Sequence, residues 1–189
     1  MKKLLYISII SVIAFSLGSC SQENDEMLAT DLKSTATTCQ PVNTPITYEL
    51  VFRDIVNPPN YFYPVGNIVV SHDATNLFIT VKASFGFVPT AGNIDIGFFK
   101  TLPLVRPDHE LFVYHFDASG SQFELTLPLD GITFEDDPAD LNGFDCGEQI
   151  KMIIHVSAFN SSSDAVDSWA GTHINVGSLT AWYKYIGYT

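Results

Sequence analysis

The sequence predicts an all-β protein, an antiparallel β-sandwich of about eight strands carried behind a signal peptide and a flexible linker. Three observations predict it. After the first forty residues, apolar side chains recur with a period of two in many separate runs. Those runs are rich in β-branched and aromatic residues and are bounded by turn formers. Between them no stretch carries the 3.6-residue period of an amphipathic helix, which argues against an α/β fold.

From the N-terminal side, residues 46–53 (ITYELVFR) place Ile46, Tyr48, Leu50 and Phe52 on one face of a strand. Residues 67–71 form the next run, and in 77–85 the residues Leu77, Ile79, Val81, Ala83 and Phe85 alternate with Phe78, Thr80, Lys82 and Ser84. The short connection His72-Asp73-Ala74-Thr75-Asn76 makes these two runs an antiparallel hairpin. Further strands are expected over 93–100, 110–116, 123–129, 149–159 and 180–188. Pro58-Pro59 and residues 101–107, 118–121 and 160–167 have loop composition. No repeat of solenoid or propeller length is present.

The N-terminus belongs to export rather than to the fold. Lys2 and Lys3 precede an uncharged apolar run over 4–17, the n-region and h-region of a signal. As a helix this run would extend only ~21 Å, short of the ~30 Å hydrocarbon core, so it is not a stable span. Leu17-Gly18-Ser19-Cys20 resembles the bacterial lipobox, in which small residues precede a cysteine that is acylated and becomes the first mature residue. The expected divisions are a lipoprotein signal over 1–19, a lipidated anchor and linker over 20–40, and the β-domain over 41–189. The segment Ser21-Gln22-Glu23-Asn24-Asp25-Glu26 is similar to the acidic tether that sends lipoproteins of the Bacteroidota to the outer face of their outer membrane. A lipid-anchored protein facing the cell exterior is therefore expected, its acyl chains (palmitate or similar) holding the membrane.

Composition narrows the partners. The whole chain carries a formal charge of −12; without Lys2 and Lys3, seven Lys and Arg remain against 21 Asp and Glu, giving −14. Nucleic acid and anionic lipid surfaces draw their affinity from basic side chains, so no nucleic-acid partner is expected. Lipidation of Cys20 leaves Cys39 and Cys146 as an even pair in an oxidising compartment, and a disulfide between them is expected.

Several short motifs share an order with a known domain. They are Ser71-His72-Asp73-Ala74-Thr75-Asn76-Leu77-Phe78-Ile79, then Cys146 ahead of Ile153-Ile154-His155-Val156, then Asp167-Ser168-Trp169-Ala170-Gly171-Thr172, then Trp182-Tyr183-Lys184-Tyr185. In this order, the segment from Gly66 onward resembles an uncharacterised all-β domain found in secreted and surface proteins of the Bacteroidota. The Ser-rich loop before Trp169 and the valine after His155 depart from the usual pattern of that domain. The resemblance implies a β-sandwich and a surface location, and it brings no activity with it.

Groups able to carry chemistry are few. Glu135, Asp136, Asp137, Asp140 and Asp145 form the densest carboxylate cluster. Aligned on Gly143 as an EF-hand turn, the first ligand position falls on Pro138 and the twelfth on Gln149, so that loop does not fit; an irregular calcium site at Asp136, Asp137, Asp140 and Asp145 is the alternative to a solvated acidic turn. His72, His109, His115, His155 and His173 show no metal-ligand spacing. His155, in an apolar strand, is expected to be a partly buried ring held by a backbone partner. No Gly-x-Ser-x-Gly elbow occurs, since Ser121 after Gly120 leads into a plain strand. The expectation is accordingly no catalytic residue, no metal and no cofactor, and a fold that melts alike with and without chelator.

Aromatic side chains are the remaining candidates. Trp169 and Trp182 are expected in the core. Tyr61, Phe62 and Tyr63 cannot all be buried on one strand, because successive side chains point to opposite faces, and they are the expected ligand-binding residues, with the acidic 136–145 turn as polar neighbours. The functional expectation is a non-catalytic surface binding module for a glycan or a protein. Its alternatives are a structural or adhesive envelope protein and a glycan-active hydrolase, whose paired carboxylates would meet only in space.

Overall fold

Period-two alternation becomes strands wherever one face finds a core. A computed structural model describes residues 45–54, 61–140, 143–144, 147–176 and 182–189. The expected signal and anchor at Cys20, the linker, the Cys39–Cys146 bridge and Asp145 lie outside the described residues. Among the described residues no helix is long and apolar enough to cross a membrane.

Among the described residues ten strands are formed: β1 (Ile46–Asp54), β2 (Tyr61–His72), β3 (Asn76–Ala83), β4 (Ile94–Phe99), β5 (Tyr114–Phe116), β6 (Gln122–Pro128), β7 (Ile150–Phe159), β8 (Ala165–Ala170), β9 (His173–Val176) and β10 (Trp182–Tyr188). Among the described residues only two 3-10 turns, His109–Leu111 and Leu129–Gly131, interrupt this all-β chain. Eight strands run antiparallel in the order β5-β4-β7-β8-β1-β2-β3-β6, while β10 pairs with both β7 and β9. The eight-stranded path curls on itself as a half-barrel. The expected all-β, antiparallel class is thus met, but as one continuous curled sheet; a division into two packed sheets is not shown.

The inner face of the curl holds the main core. Leu50, Ile68, Val70, Leu77, Val81, Ile94, Ile96, Phe98, Met152, Ile154 and Val156 are all fully buried there. The expected hairpin joins β2 to β3, with His72 opposite Leu77. Asp73 closes it by accepting the Thr75 and Asn76 N–H groups at 2.8 and 2.7 Å. A second, smaller core of Val51, Phe99, Phe112, Ile153, Trp169, Trp182 and Tyr183 lies on the outer face. Both tryptophans are buried, as expected.

Two local features of the backbone shape β2 and its neighbours. Between Leu50 and Val51 the β1–β2 register shifts, so Leu50 faces Gly66 but Val51 faces Pro64. Pro64 lacks an N–H for the ladder, and a bulge at Val65 absorbs the mismatch. Gly66 sits where a Cβ would come within 1.9 Å of the Lys82 carbonyl oxygen, so only glycine lets β3 approach. Beyond the bulge the parity of β2 is reversed, which decides where its aromatic residues point.

Candidate functional site

Strand alternation separates the three aromatic residues expected to act together, and the bulge decides which face each takes. Tyr63 pairs with Phe52 across β1 and β2, and the rings stack at 5.2 Å and 18°. Tyr61 lies on the same face, 4.8 Å from Tyr63 between ring centroids, and is 58% exposed. Phe62 points to the other face, where it meets Trp182 edge-on at 5.2 Å and lies under the Arg53 guanidinium. The structure therefore builds a graded strip of Phe52, Tyr63 and Tyr61, and uses Phe62 as packing.

The acidic turn is committed elsewhere. Asp136 accepts the backbone N–H groups of Lys100 and Thr101 at 3.0 and 2.7 Å, Asp140 pairs with the Lys100 ammonium, and Glu135 accepts the Val113 N–H at 2.8 Å. Burial pushes the Glu135 carboxyl up, with the Val113 hydrogen bond opposing it. These carboxylates tie the 100–113 excursion to the acidic turn over 135–140.

That excursion covers the most polar interior spot among the described residues. Cross-strand register sets His115 of β5, Asp95 of β4, His155 of β7 and Trp169 of β8 in one row on the outer face. Sequence alternation explains the row, because Ile94 and Ile96 point inward and leave Asp95 outward. Gly97, two residues on, leaves room for the Phe112 ring, since a Cβ there would lie 3.0 Å from two Phe112 atoms and 2.9 Å from Phe99. Phe112 packed on Phe99 ends the 3-10 turn that carries His109. The Tyr183 hydroxyl donates to the Pro103 carbonyl at 2.7 Å and ties down the excursion's other half.

So placed, His109 drops onto the row. Asp95 Oδ2 accepts from His109 Nδ1 at 2.8 Å and from His155 Nδ1 at 3.0 Å, while Oδ1 accepts from His115 Nδ1 at 2.7 Å. The far nitrogen of His155 lies 3.3 Å from Asp167 Oδ1. The His109 and His155 rings stack at 3.6 Å and 19°. Burial pushes the Asp95 carboxyl up, but the hydrogen bonds from the three imidazoles outweigh it and hold the group well below the usual carboxylate range. Burial likewise pulls His155 down, and its bonds to Asp167 and Asp95 more than reverse that, so its pKa is raised. Asp167, held first by its bond to His155, is lowered.

His155 is thus buried as expected, yet two carboxylates hold it, not a backbone group. Burying a carboxylate alone costs several kcal/mol, so its donors must come with it. Beside the cluster opens a depression of about 540 Å³, walled by Thr90, Gly92, Asp95, His109, Glu110 and His115. Asn93, buried among Val88 and Ala118 backbone groups, fixes the wall. The signal that could have found this cluster was present: Asp95 flanked by Ile94 and Ile96, and His155 flanked by Ile154 and Val156, require buried partners. Comparison with protein-family models, with curated proteins and with solved structures finds no match for this chain.

Proposed function

We propose that the protein is a non-catalytic binding module, displayed outward from the outer membrane on a lipid at Cys20, that holds a glycan against the Tyr61–Tyr63–Phe52 strip. The observation that supports this reading is the strip itself. Tyr61, more than half exposed, leans at 50° on Tyr63, which is stacked in turn on the half-buried Phe52. A rigid ring backed in this way offers a flat apolar face at little entropic cost, with a hydroxyl at its edge for a sugar oxygen. In this reading the two arms of the curled sheet act as the layers of a sandwich about a shared core, and the strip lies at one end. The lipobox-like Leu17-Gly18-Ser19-Cys20 and the acidic residues after it support the anchor and the outward display.

A glycan array and a pull-down with the purified protein test the strip, each repeated with Tyr61→Ala and Tyr63→Ala. Losing one stacked ring is expected to weaken glycan binding about tenfold, for a contribution of about 1.4 kcal/mol. Binding indifferent to both substitutions removes the strip from the reading, capture of a protein in place of a glycan changes the ligand class, and turnover of a polysaccharide overturns the non-catalytic assignment. Intact-mass analysis of the mature protein is expected to show an acylated Cys20, and any other N-terminal residue ends the anchor proposal.

A further inference from the structure

We propose that Asp95, His109 and His155 bind a divalent transition-metal ion of the zinc class, with His115 and Asp167 orienting the ligands. The donor set is one carboxylate and two imidazoles, the borderline ligands that suit zinc and its late first-row neighbours better than calcium or magnesium. One ligating atom from each of the three lies within 4.8 Å of the others. Both imidazole nitrogens already address the same oxygen, Asp95 Oδ2, at 2.8 and 3.0 Å. Two ligands each ~2.0–2.1 Å from an ion stand ~2.9 Å apart when they meet at a right angle and ~3.3 Å apart at a tetrahedral one. The two N–O separations match a right-angled arrangement and open to a tetrahedral one by a few tenths of an ångström, while the stacked rings must splay for both in-plane lone pairs to reach one ion.

The groups behind the three ligands point to a metal more strongly than the ligands themselves. A metal-bound histidine characteristically donates its other ring N–H to a carboxylate, which fixes its orientation and raises its basicity. His155 has this arrangement, with Nδ1 toward Asp95 and Nε2 toward Asp167. Asp95 in turn has its second oxygen held by His115 at 2.7 Å, which turns Oδ2 toward the two ligating nitrogens. Without an ion, both Nδ1 atoms must carry protons to satisfy one carboxylate oxygen, and the rings stacked at 3.6 Å bring those N–H dipoles side by side. With an ion, the partly exposed His109 ring swings out of the stack so that both Nδ1 lone pairs meet the cation, which answers the charge of Asp95. The Asp95 and His155 side chains are 4% and 1% exposed, while His109 is 25% exposed on the side of the depression. The protein thus supplies Asp95 and His155 from a closed floor and His109 from the covering excursion, and leaves the remaining position open to an oxygen donor from solvent or ligand.

The site is separate from the aromatic strip, and metal is titrated with no glycan present, so failure of one proposal leaves the other standing. The test uses the mature full chain without a polyhistidine tag, dialysed against chelator and then titrated with Zn²⁺ by calorimetry and with Co²⁺ by visible absorption. One ion per chain is expected, with the d–d bands of cobalt bound to nitrogen and oxygen, and a melting temperature raised by the added metal. His109→Ala, on the covering excursion, is the variant least able to disturb folding; it is expected to weaken binding at least about a hundredfold and abolish the melting shift. Asp95→Asn is expected to do the same, and His115→Ala to weaken binding about tenfold. No stoichiometric binding by the wild-type chain overturns the site. Binding that survives in folded His109→Ala overturns it equally, since the ion then sits elsewhere.

Discussion

Gly97→Ala is the sharpest test of how the outer face is built. An added methyl group meets Phe99 Cε2 at 2.9 Å and Phe112 Cδ1 and Cε1 at 3.0 Å, closer than carbon atoms pack. Both rings are buried and packed on each other, so neither turns aside freely. Overfilling a packed site of this kind costs about 1–3 kcal/mol. Alanine also restricts the unfolded chain relative to glycine, which offsets about 0.4–1 kcal/mol. From the middle of both ranges the net loss is about 1.3 kcal/mol, and for a domain of this size the melting temperature falls by roughly 3–5 °C. Urea melts followed by fluorescence of the buried Trp169 and Trp182 measure it, with the slope unchanged. The displacement of Phe112 must also reach His109 three residues earlier, so the His109 ring resonances are expected to shift. Shortening the opposing ring with Phe112→Leu in the same chain is expected to recover part of the loss. A Gly97→Ala protein as stable as the parent, with unperturbed His109 signals, refutes the role given to this close contact.

Gly66→Ala is expected to be more damaging than Gly97→Ala, because the backbone oxygen of Lys82, 1.9 Å from the new Cβ, cannot turn away; expression followed by a thermal melt checks it. Asp73→Ala is expected to lower the melting temperature by removing the acceptor for Thr75 and Asn76 N–H. Because those backbone bonds lower the Asp73 pKa in the folded protein, its contribution is present above the unfolded value and fades as pH falls through the folded one, so parent and variant melts converge in acid. Glu135 has the opposite sign: burial raises its folded pKa, so the penalty for its charge is relieved as pH falls through that raised value. Glu135→Gln, which keeps an acceptor for the Val113 N–H, is expected to flatten that part of the stability profile.

Much of the fold was legible because half-covered strands alternate. In β3 Leu77, Ile79, Val81 and Ala83 are buried as the alternation requires, whereas Phe85, expected on the same face, lies past the strand's end and is exposed; β1, β6, β7 and β10 fall within two residues of the expected runs. The misses have separate physical causes. Residues 160–167 read as a loop, and the first part is one, since the Asn160 side chain accepts the Ser162 and Asp164 N–H groups. β8 begins only at Ala165, and its Asp167 and Ser168 disguise a strand whose Trp169 is buried. Over 110–116, the expected strand gives way to a 3-10 turn and then the short β5, because Asp108 caps the turn through the Glu110 N–H. The run expected over 67–71 extends back to Tyr61 in β2, because Pro64 interrupts the ladder by a single bulge and the strand continues through it.

Sites resist single-sequence reading for a reason the row across β5, β4, β7 and β8 makes concrete. Every residue of β4 is buried, since the core covers one face and the 100–113 excursion the other, so alternation is erased where Asp95 lies. Asp95 is then 14 residues from His109, 20 from His115 and 60 from His155. None of these separations is a helical repeat or a Cys-His spacing, because the residues are joined by strand order and register, which depend on the whole sheet and not on any local segment. The aromatic trio shows the converse. Tyr61, Phe62 and Tyr63 alternate across the strand as expected, and what sequence does not give is the face each takes: the bulge sends Phe62 to the outer core and sets Tyr63 against Phe52 of β1. A polar residue inside an apolar strand is therefore the more dependable pointer of the two, because the cost of burying it forces a partner to exist even when sequence cannot say which.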